Sequence, residues 1–530
     1  MKKILAVIFS FLLLFAFAAC TEAEEVLVVP SGSTLIEQGH ATGVNVRGVG
    51  AEFDPHYFSQ NFPDELDDPS SGTGGWEIIT ERVRELKLDC IRVMVLPEWL
   101  EPENDNDDPD TLNEDALTKE SLEMQSLRKL LDLAMEQDIS VTFVLWGASL
   151  NKTLAADNWS SSPYWMTANN QGASPGLANN WVKGPKDEME DEFVENFYAY
   201  MKVLRVDEGY TCIKQITPVN EPCWSYQIEG VAWADGPNDT PFFPYYASMV
   251  RKLDEKFTEE GIRDLFEFNL GDATDTRAEK WLTRTVIDLQ DQTDLVNAHT
   301  YIFGYETGNS AIASWTETNY RIANSIGADF FVGEFGSNQV EGSTVQTDMN
   351  EYRRGVLRAR IVSQMFNNGA SGMSYWTTMD YYNNRSGSYD AMMKTGLWTS
   401  AKSEYSMDSN YNWLTENFQV RPQYYSFGLM SKYIPKGAEI YPMEIDSEFI
   451  SGTAFAADGK TTYLFVNQTE TPVTYSVETE GGQSYGYYLY AEDSLPEDDS
   501  LIAASQTLVS ENRCLTFELP ANSVVMLCRS

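Results

Sequence analysis

One alternation recurs eight times along the chain and limits what it can fold into. Apolar runs lie at Val44–Phe53, Cys90–Leu96, Ile139–Trp146, Cys212–Val219, Leu265–Leu270, Asp294–Tyr301, Phe330–Glu334 and Gly372–Trp376. They have strand length and are continuous rather than alternating in polarity, the pattern of strands covered on both faces, as in a parallel sheet. Between them, apolar residues recur at helical spacing: Ile78, Val83 and Leu86; Leu127, Leu130, Leu131 and Ala134; Phe193, Phe197, Tyr200 and Leu204; Met249, Leu253 and Phe257; Val356, Ile361 and Met365. Tyr424–Tyr433 supplies a last helix. Eight such units predict an α/β fold, a (β/α)8 TIM barrel over residues 44–434. An open doubly wound sheet is the competing architecture, but no Gly-rich phosphate loop follows any run.

The helical period stops near Ile434-Pro435-Lys436-Gly437. Short strand-like pieces follow at Gly452–Phe455, Thr461–Asn467, Val473–Thr479, Ser484–Tyr490, Leu515–Leu519 and Ser523–Cys528, with turns at Asp458-Gly459 and Glu480-Gly481-Gly482. Residues 435–530 therefore read as a smaller C-terminal all-β sandwich domain. Its run Tyr485-Gly486-Tyr487-Tyr488-Leu489-Tyr490 alternates unevenly, as strand packing does rather than a carbohydrate-binding face. A hairpin centred on Leu519-Pro520-Ala521-Asn522 would bring Cys514 opposite Cys528, where a disulfide could form. Cys90, Cys212 and Cys223 lie on or beside core strands and read as buried thiols.

Lys2 and Lys3 precede an apolar run from Ile4 to Phe17 and then Ala18-Ala19-Cys20. Residues 1–20 read as a lipoprotein-type signal peptide with Cys20 as the first mature residue, lipid-modified and anchored at a cell-surface, outer-membrane or periplasm-facing site. Cleavage near Ala18–Cys20 with free secretion is the alternative. Residues 21–43 form an irregular N-terminal segment apart from a strand-like Val26–Val29. The formal net charge of −43 opposes nucleic acid and anionic membranes as partners and is compatible with a neutral ligand. His40, His56 and His299 are the only histidines, too few to expect a His/Cys zinc site, and no metal is assigned. The acidic stretch 104–110 lacks the glycine and closing glutamate of a calcium loop and reads as a solvated loop.

A barrel builds its active site at the C-terminal ends of its strands. There the second run carries Arg92 and the third ends at Trp146. The fourth leads into Asn220-Glu221-Pro222, the sixth into His299 and Tyr301, the seventh into Glu334 and the eighth into Trp376. Two carboxyl groups facing each other are the minimum equipment for cleaving a glycosidic bond: one protonates the leaving oxygen, the other attacks or activates water. Glu334 would need donors that keep it ionised, such as Arg92 and Tyr301, while a negative Glu334 would raise the proton affinity of Glu221. Trp376, Trp146 and Trp224 offer flat faces on which a sugar ring can stack. Trp99, Trp159, Trp165, Trp181 and Trp398 fall in or near loops and could add further platforms, and His56 follows the first run.

This constellation resembles the clan of retaining β-glycoside hydrolases (clan A) that includes the family 5 cellulases and mannanases. Asn220-Glu221-Pro222 is similar to the clan's acid/base motif on strand four, and Gly333-Glu334-Phe335-Gly336 to its nucleophile motif on strand seven. His299-Thr300-Tyr301 resembles its His-x-Tyr on strand six, and Arg92 and Trp376 its strand-two Arg and strand-eight Trp. The resemblance implies a retaining O-glycoside hydrolase with Glu221 as acid/base, Glu334 as nucleophile and Asn220 on the sugar 2-OH, needing no cofactor. Its carbohydrate partner would be a β-linked glycan, β-glucan first and β-mannan next. Galactan, xylan, exo-acting β-glycosidase and transglycosylase activities remain open, because substrate choice lies in Glu98–Leu117, Ser149–Pro185 and Trp224–Pro244. A non-catalytic surface glycan-binding lipoprotein is the rival from another class. Its signature would be loss of one carboxylate, and the sequence keeps both.

Overall fold

A computed structural model describes residues 26–55, 75–104, 106, 108–145, 189–225, 242–274, 278–337, 348–382, 392–399 and 418–529, excepting the side chains of 98, 122, 224, 225, 381, 382, 392 and 393. After a short β1 (Thr34–Ile36), eight parallel strands close into a barrel in sequence order: β2 (Gly48–Glu52), β3 (Cys90–Val95), β4 (Ser140–Leu145), β5 (Ile213–Thr217), β6 (Glu267–Thr274), β7 (Leu295–Thr300), β8 (Asp329–Phe335) and β9 (Ala370–Tyr375). β9 pairs back onto β2, with Gly48 opposite Gly372, so the sheet has no edge. Every residue of β2, β3, β7 and β9 is buried, which is why these runs carry no polar alternation.

The outer layer comprises α1 (Gly75–Leu86), α2 (Leu122–Gln137), α3 (Glu190–Met201), the single turn α4 (Pro222–Ser225), α5 (Phe243–Glu259), α6 (Ala278–Asp288), α7 (Asn309–Asn324), α8 (Tyr352–Asn367) and α9 (Pro422–Tyr433). α2 shows how the sequence sets these bounds. The Ser121 side chain accepts from the Met124 N–H at 3.2 Å and caps the start, and Asp138, at φ 55°, turns the chain out of the helix in left-handed geometry. In between, Met124, Leu127, Leu130, Leu131 and Ala134 form the buried stripe.

The C-terminal part stacks two sheets. After a small pair, β10 (Tyr381–Tyr382) with β11 (Met392–Met393), come β12 (Glu439–Pro442), β13 (Ile450–Ala457), β14 (Lys460–Asn467), β15 (Val473–Glu478), β16 (Ser484–Tyr490), β17 (Gln506–Val509), β18 (Cys514–Leu519) and β19 (Ser523–Arg529). One sheet runs β12-β13-β14-β19-β16-β17 and the other β1-β15-β18. Asp458 and Gly459, both at positive φ, make the tight turn between β13 and β14 that their sequence signals. On the face toward the barrel, Phe455, Leu464, Val466, Val524 and Met526 join the barrel core, while Phe465, Phe517, Leu519 and Leu527 pack between the two sheets. Arg360 of α8, fully buried, ties the two parts by donating to Asn309 Oδ1 and Gln468 Oε1, each at 2.8 Å.

Three expectations change. Val26–Val29 is not a strand; Thr34–Ile36 is, and it adds to the C-terminal domain by pairing parallel with β15. Leu519–Asn522 is not a hairpin: the chain crosses there from one sheet to the other, so Cys514 lies opposite Glu478 while Cys528 lies opposite Thr462 and Gly486, both as free thiols. Trp99 and Trp398 are 3 % and 0 % exposed, so neither offers a face to a sugar. Tyr485, Tyr487 and Tyr490 are likewise buried, which uses their rings in packing. In the acidic stretch, Asn104, Asn106 and Asp108 side chains accept from the backbone N–H two residues on, as turn-forming side chains do.

Candidate active site

Arg92 is the centre of the site. It is 2 % exposed, and its guanidinium fork serves four acceptors: Nη1 donates to Glu334 Oε1 at 2.6 Å and Glu52 Oε2 at 3.1 Å, and Nη2 to Asn220 Oδ1 at 2.7 Å and Asp272 Oδ2 at 3.0 Å. A planar, permanently charged group suits this better than an ammonium, because its donors leave in fixed directions. Four carboxyl or amide oxygens from four strands or strand exits are thereby held around one cation.

Glu221 lies just past β5, with Pro222 opening α4. Its backbone is left-handed, φ 46°, an uncommon conformation for a residue with a β-carbon. The conformation is pinned from outside: the Glu221 N–H donates to Asp272 Oδ2 at 2.9 Å, and its carboxyl faces His299 Nδ1 at 3.1 Å. Glu334 projects from β8. Its Oε2 accepts from the Tyr301 hydroxyl at 2.5 Å and lies 3.5 Å from His299 Nδ1. One oxygen of Glu221 and one of Glu334 are within 4.8 Å of each other.

Asp272 connects the two halves. It is fully buried and takes Arg92 on Oδ2, His299 Nε2 on Oδ1 at 2.8 Å and the Asn297 amide on Oδ1 at 2.5 Å. Asn297 in turn accepts from the Gly333 N–H at 3.0 Å, next to Glu334. Asp272 reaches this position through a register shift between β6 and β7 at Leu270–Ala273, with Gly271 at φ 99° and Asp272 at φ 44°. A bulge re-aims a side chain in just this way. A second shift between Ala298 and His299 does the same for the β7–β8 pair and sets His299 opposite Glu334.

The electrostatics follow from burial and these contacts. For Asp272, burial favours the neutral acid but Arg92 and His299 outweigh it, so its carboxyl stays below the usual range. Burial alone would make His299 neutral; Asp272, then Glu334 and Glu221, overcome this and raise it to about 10, so the imidazolium donates from both nitrogens. Burial raises Glu334 above the ordinary carboxylate value, opposed by His299 and Arg92. Burial raises Glu52 much further, opposed by Arg92. Glu221, His299 and Glu334 each bring one atom within 4.8 Å of the others.

Of the site residues expected from sequence, Arg92, Asn220, Glu221, His299, Tyr301 and Glu334 converge here. Trp376 follows β9, is 8 % exposed, and its backbone N–H donates to the Phe335 carbonyl at 2.9 Å, one residue from Glu334. Trp146, His56, Trp159, Trp165 and Trp181 lie outside the described residues, as does the side chain of Trp224, whose backbone is in α4. Sequence reading missed Glu52, Asp272 and Asn297. A lone Gly271 after Leu270 reads as the end of a strand, whereas a glycine inside a strand pattern also marks a bulge, which was the available signal for Asp272.

No family model matches the chain, and comparison with curated proteins finds no match. Solved structures do match in fold. A family 30 endoxylanase from Clostridium papyrosolvens aligns with TM-score 0.57 and 13 % identity over 92 % of this chain and 98 % of its own. An endo-β1,6-glucanase aligns with TM-score 0.57 and 13 % identity over 94 % and 95 %. A family 51 α-L-arabinofuranosidase from Bifidobacterium longum aligns with TM-score 0.56 and 12 % identity over 95 % and 100 %. At these identities the alignments show a shared fold, which this chain has in common with the family 30 and family 51 enzymes.

Proposed function

We propose that the chain is a retaining glycoside hydrolase that cleaves β-linkages in a polysaccharide or its oligosaccharides by double displacement. The observation that carries this reading is that an oxygen of Glu221 and an oxygen of Glu334 lie within 4.8 Å of each other at the mouth of the barrel. Retaining enzymes hold their carboxyl groups about 5–5.5 Å apart, whereas inverting ones leave about 6.5–9.5 Å for a water. Glu334, held by Arg92 and Tyr301, attacks the anomeric carbon as Glu221 gives its proton to the departing oxygen. Glu221 then removes a proton from water, which attacks the same carbon and releases Glu334. Asn220, oriented by Arg92, hydrogen-bonds the sugar 2-OH, and Trp376 supplies a stacking face. Trp146 and Trp224 are proposed as further platforms.

β-Glucan is the first substrate on this reading and β-mannan the next; the glucanase and xylanase among the fold neighbours support including β1,6-glucan and xylan beside them. The test is to incubate the purified protein with β-glucans, mannans, galactans and xylans, beside Glu334→Ala and Glu221→Ala. Proton NMR of the first product anomer follows the stereochemistry. Cleavage that both substitutions abolish, with β-anomer formed first, supports the reading. Activity that survives loss of Glu334 refutes the nucleophile, and an α-anomer formed first refutes retention. Binding of a glycan without cleavage moves the chain to a surface glycan-binding role. The N-terminal sequence supports export and a lipid anchor at Cys20, which palmitate labelling of wild type and Cys20→Ala tests directly.

A further inference from the structure

Glu52 has no step in this double displacement, yet it is fully buried beside the nucleophile's partner. It ends β2 directly opposite Arg92 in the β2–β3 register. Its Oε2 shares Arg92 Nη1 with Glu334 Oε1, and its Oε1 is buried with no hydrogen-bond partner among the described residues. Its backbone is fixed as well: Thr378 donates its N–H and hydroxyl to the Glu52 carbonyl, at 3.1 Å each, and Thr377 its hydroxyl at 3.0 Å. Among the described residues, the titratable groups facing it are Arg92 from β3, Glu334 from β8, Tyr301 just past β7 and Asp54 just beyond its own strand.

A carboxylate in this place would carry half its charge on an oxygen with no donor among the described residues and would set a second anion beside Glu334 on the same guanidinium nitrogen. A carboxylic acid would not. Charge counting agrees. Among the described residues, the two cations Arg92 and His299 are in ion-pair contact with four carboxyl groups, Glu52, Glu221, Asp272 and Glu334. Asp272 and Glu334 balance the cations, and Glu221 carries the proton it must deliver, which leaves Glu52 neutral. The strong effect of burial on Glu52 runs the same way.

We infer that Glu52 is a positioning residue for the nucleophile: a neutral carboxylic acid that accepts from Arg92 and fixes the guanidinium without drawing its charge from Glu334. The inference rests on Glu334 being the nucleophile. Two variants and two readouts test it. Glu52→Leu, which removes the acceptor, lowers kcat about ten-fold or more, and Glu52→Gln, which reproduces a neutral acceptor, restores it to within a factor of roughly three. The acid limb of the kcat/KM profile, which follows ionisation of Glu334, stays in place in Glu52→Gln. Were Glu52 an anion, removing its charge would ease ionisation of Glu334 and move that limb to lower pH. The infrared difference spectrum of wild type minus Glu52→Gln at neutral pH carries the carbonyl stretch of a protonated carboxyl and needs no substrate. A shifted acid limb, or no such band, overturns the neutral acid; unchanged kcat in Glu52→Leu overturns the positioning role. If wild type cleaves nothing on the panel, the glycosidase reading fails by itself and the infrared band still decides the state of Glu52.

Discussion

His299 should make the stability of this protein fall as pH rises through the neutral range. Its side chain is fully buried, donates to Asp272 Oδ1 at 2.8 Å and to Glu221 Oε1 at 3.1 Å, and is raised from 6.5 to about 10. A group whose folded pKa is raised contributes stability that is fully present below its unfolded value and is lost as pH climbs to the folded one. The window here runs from about 6.5 to about 10. Across it the folded chain holds about one more proton than the unfolded chain, so the slope is about 1.4 kcal/mol per pH unit, and the full difference is on the order of 3–5 kcal/mol. The useful part is pH 6.5–8.5, before the buried thiols Cys90 and Cys212, pushed up to about 12 and about 11, add their own slope in the same direction. Urea unfolding of wild type and His299→Gln over that range should show wild type losing about 2–3 kcal/mol more than the variant. Parallel curves would mean that His299 is neutral in the folded protein, and would refute the account of the Asp272–His299–Glu221 array.

Three further outcomes follow from the same contacts. Asp272→Asn takes the anionic partner from two buried cations, so it should cost about 3–5 kcal/mol at pH 7. Because the folded pKa of Asp272 is depressed, its contribution is present above the unfolded value and lost as pH falls below about 4, so the gap to wild type in unfolding curves should narrow in acid. Tyr301→Phe removes the 2.5 Å hydrogen bond to Glu334; kcat should fall about 10–100-fold and the acid limb of the rate profile should move to higher pH, measured on whichever glycan wild type cleaves. Gly333→Ala places a methyl group into the Asn297 side-chain amide, so thermal unfolding should show a loss of about 1–3 kcal/mol, with activity falling because Glu334 is the next residue.

The barrel was legible because its signal is local. Eight apolar runs at strand length, with helical spacing between them, leave few ways to cover every strand on both faces, and the observed strands coincide with those runs to within a few residues. The polar residues at the run ends were legible for the same reason: a carboxylate or arginine at the end of a buried strand has no reason to be there unless something pairs with it. The register was not. Asp272 enters the site only because β6 bulges at Gly271, and a bulge is set by how two neighbouring strands share hydrogen bonds, which no single strand encodes. Glu52 lay inside the run Val44–Phe53, one residue before its end, with no partner suggested by its neighbours; its meaning appears only when β2 is laid beside β3 and Arg92 falls opposite it. The pairing of Thr34–Ile36 with β15, more than four hundred residues later, and the crossing between sheets at Leu519–Asn522 are likewise contacts of distant segments. Periodicity and strand-end chemistry thus determined the fold class and most of the charged groups of the site. Tertiary structure alone decided which carboxylate meets which cation, and therefore which groups hold protons, because that depends on distances of a few ångströms between strands far apart in the chain.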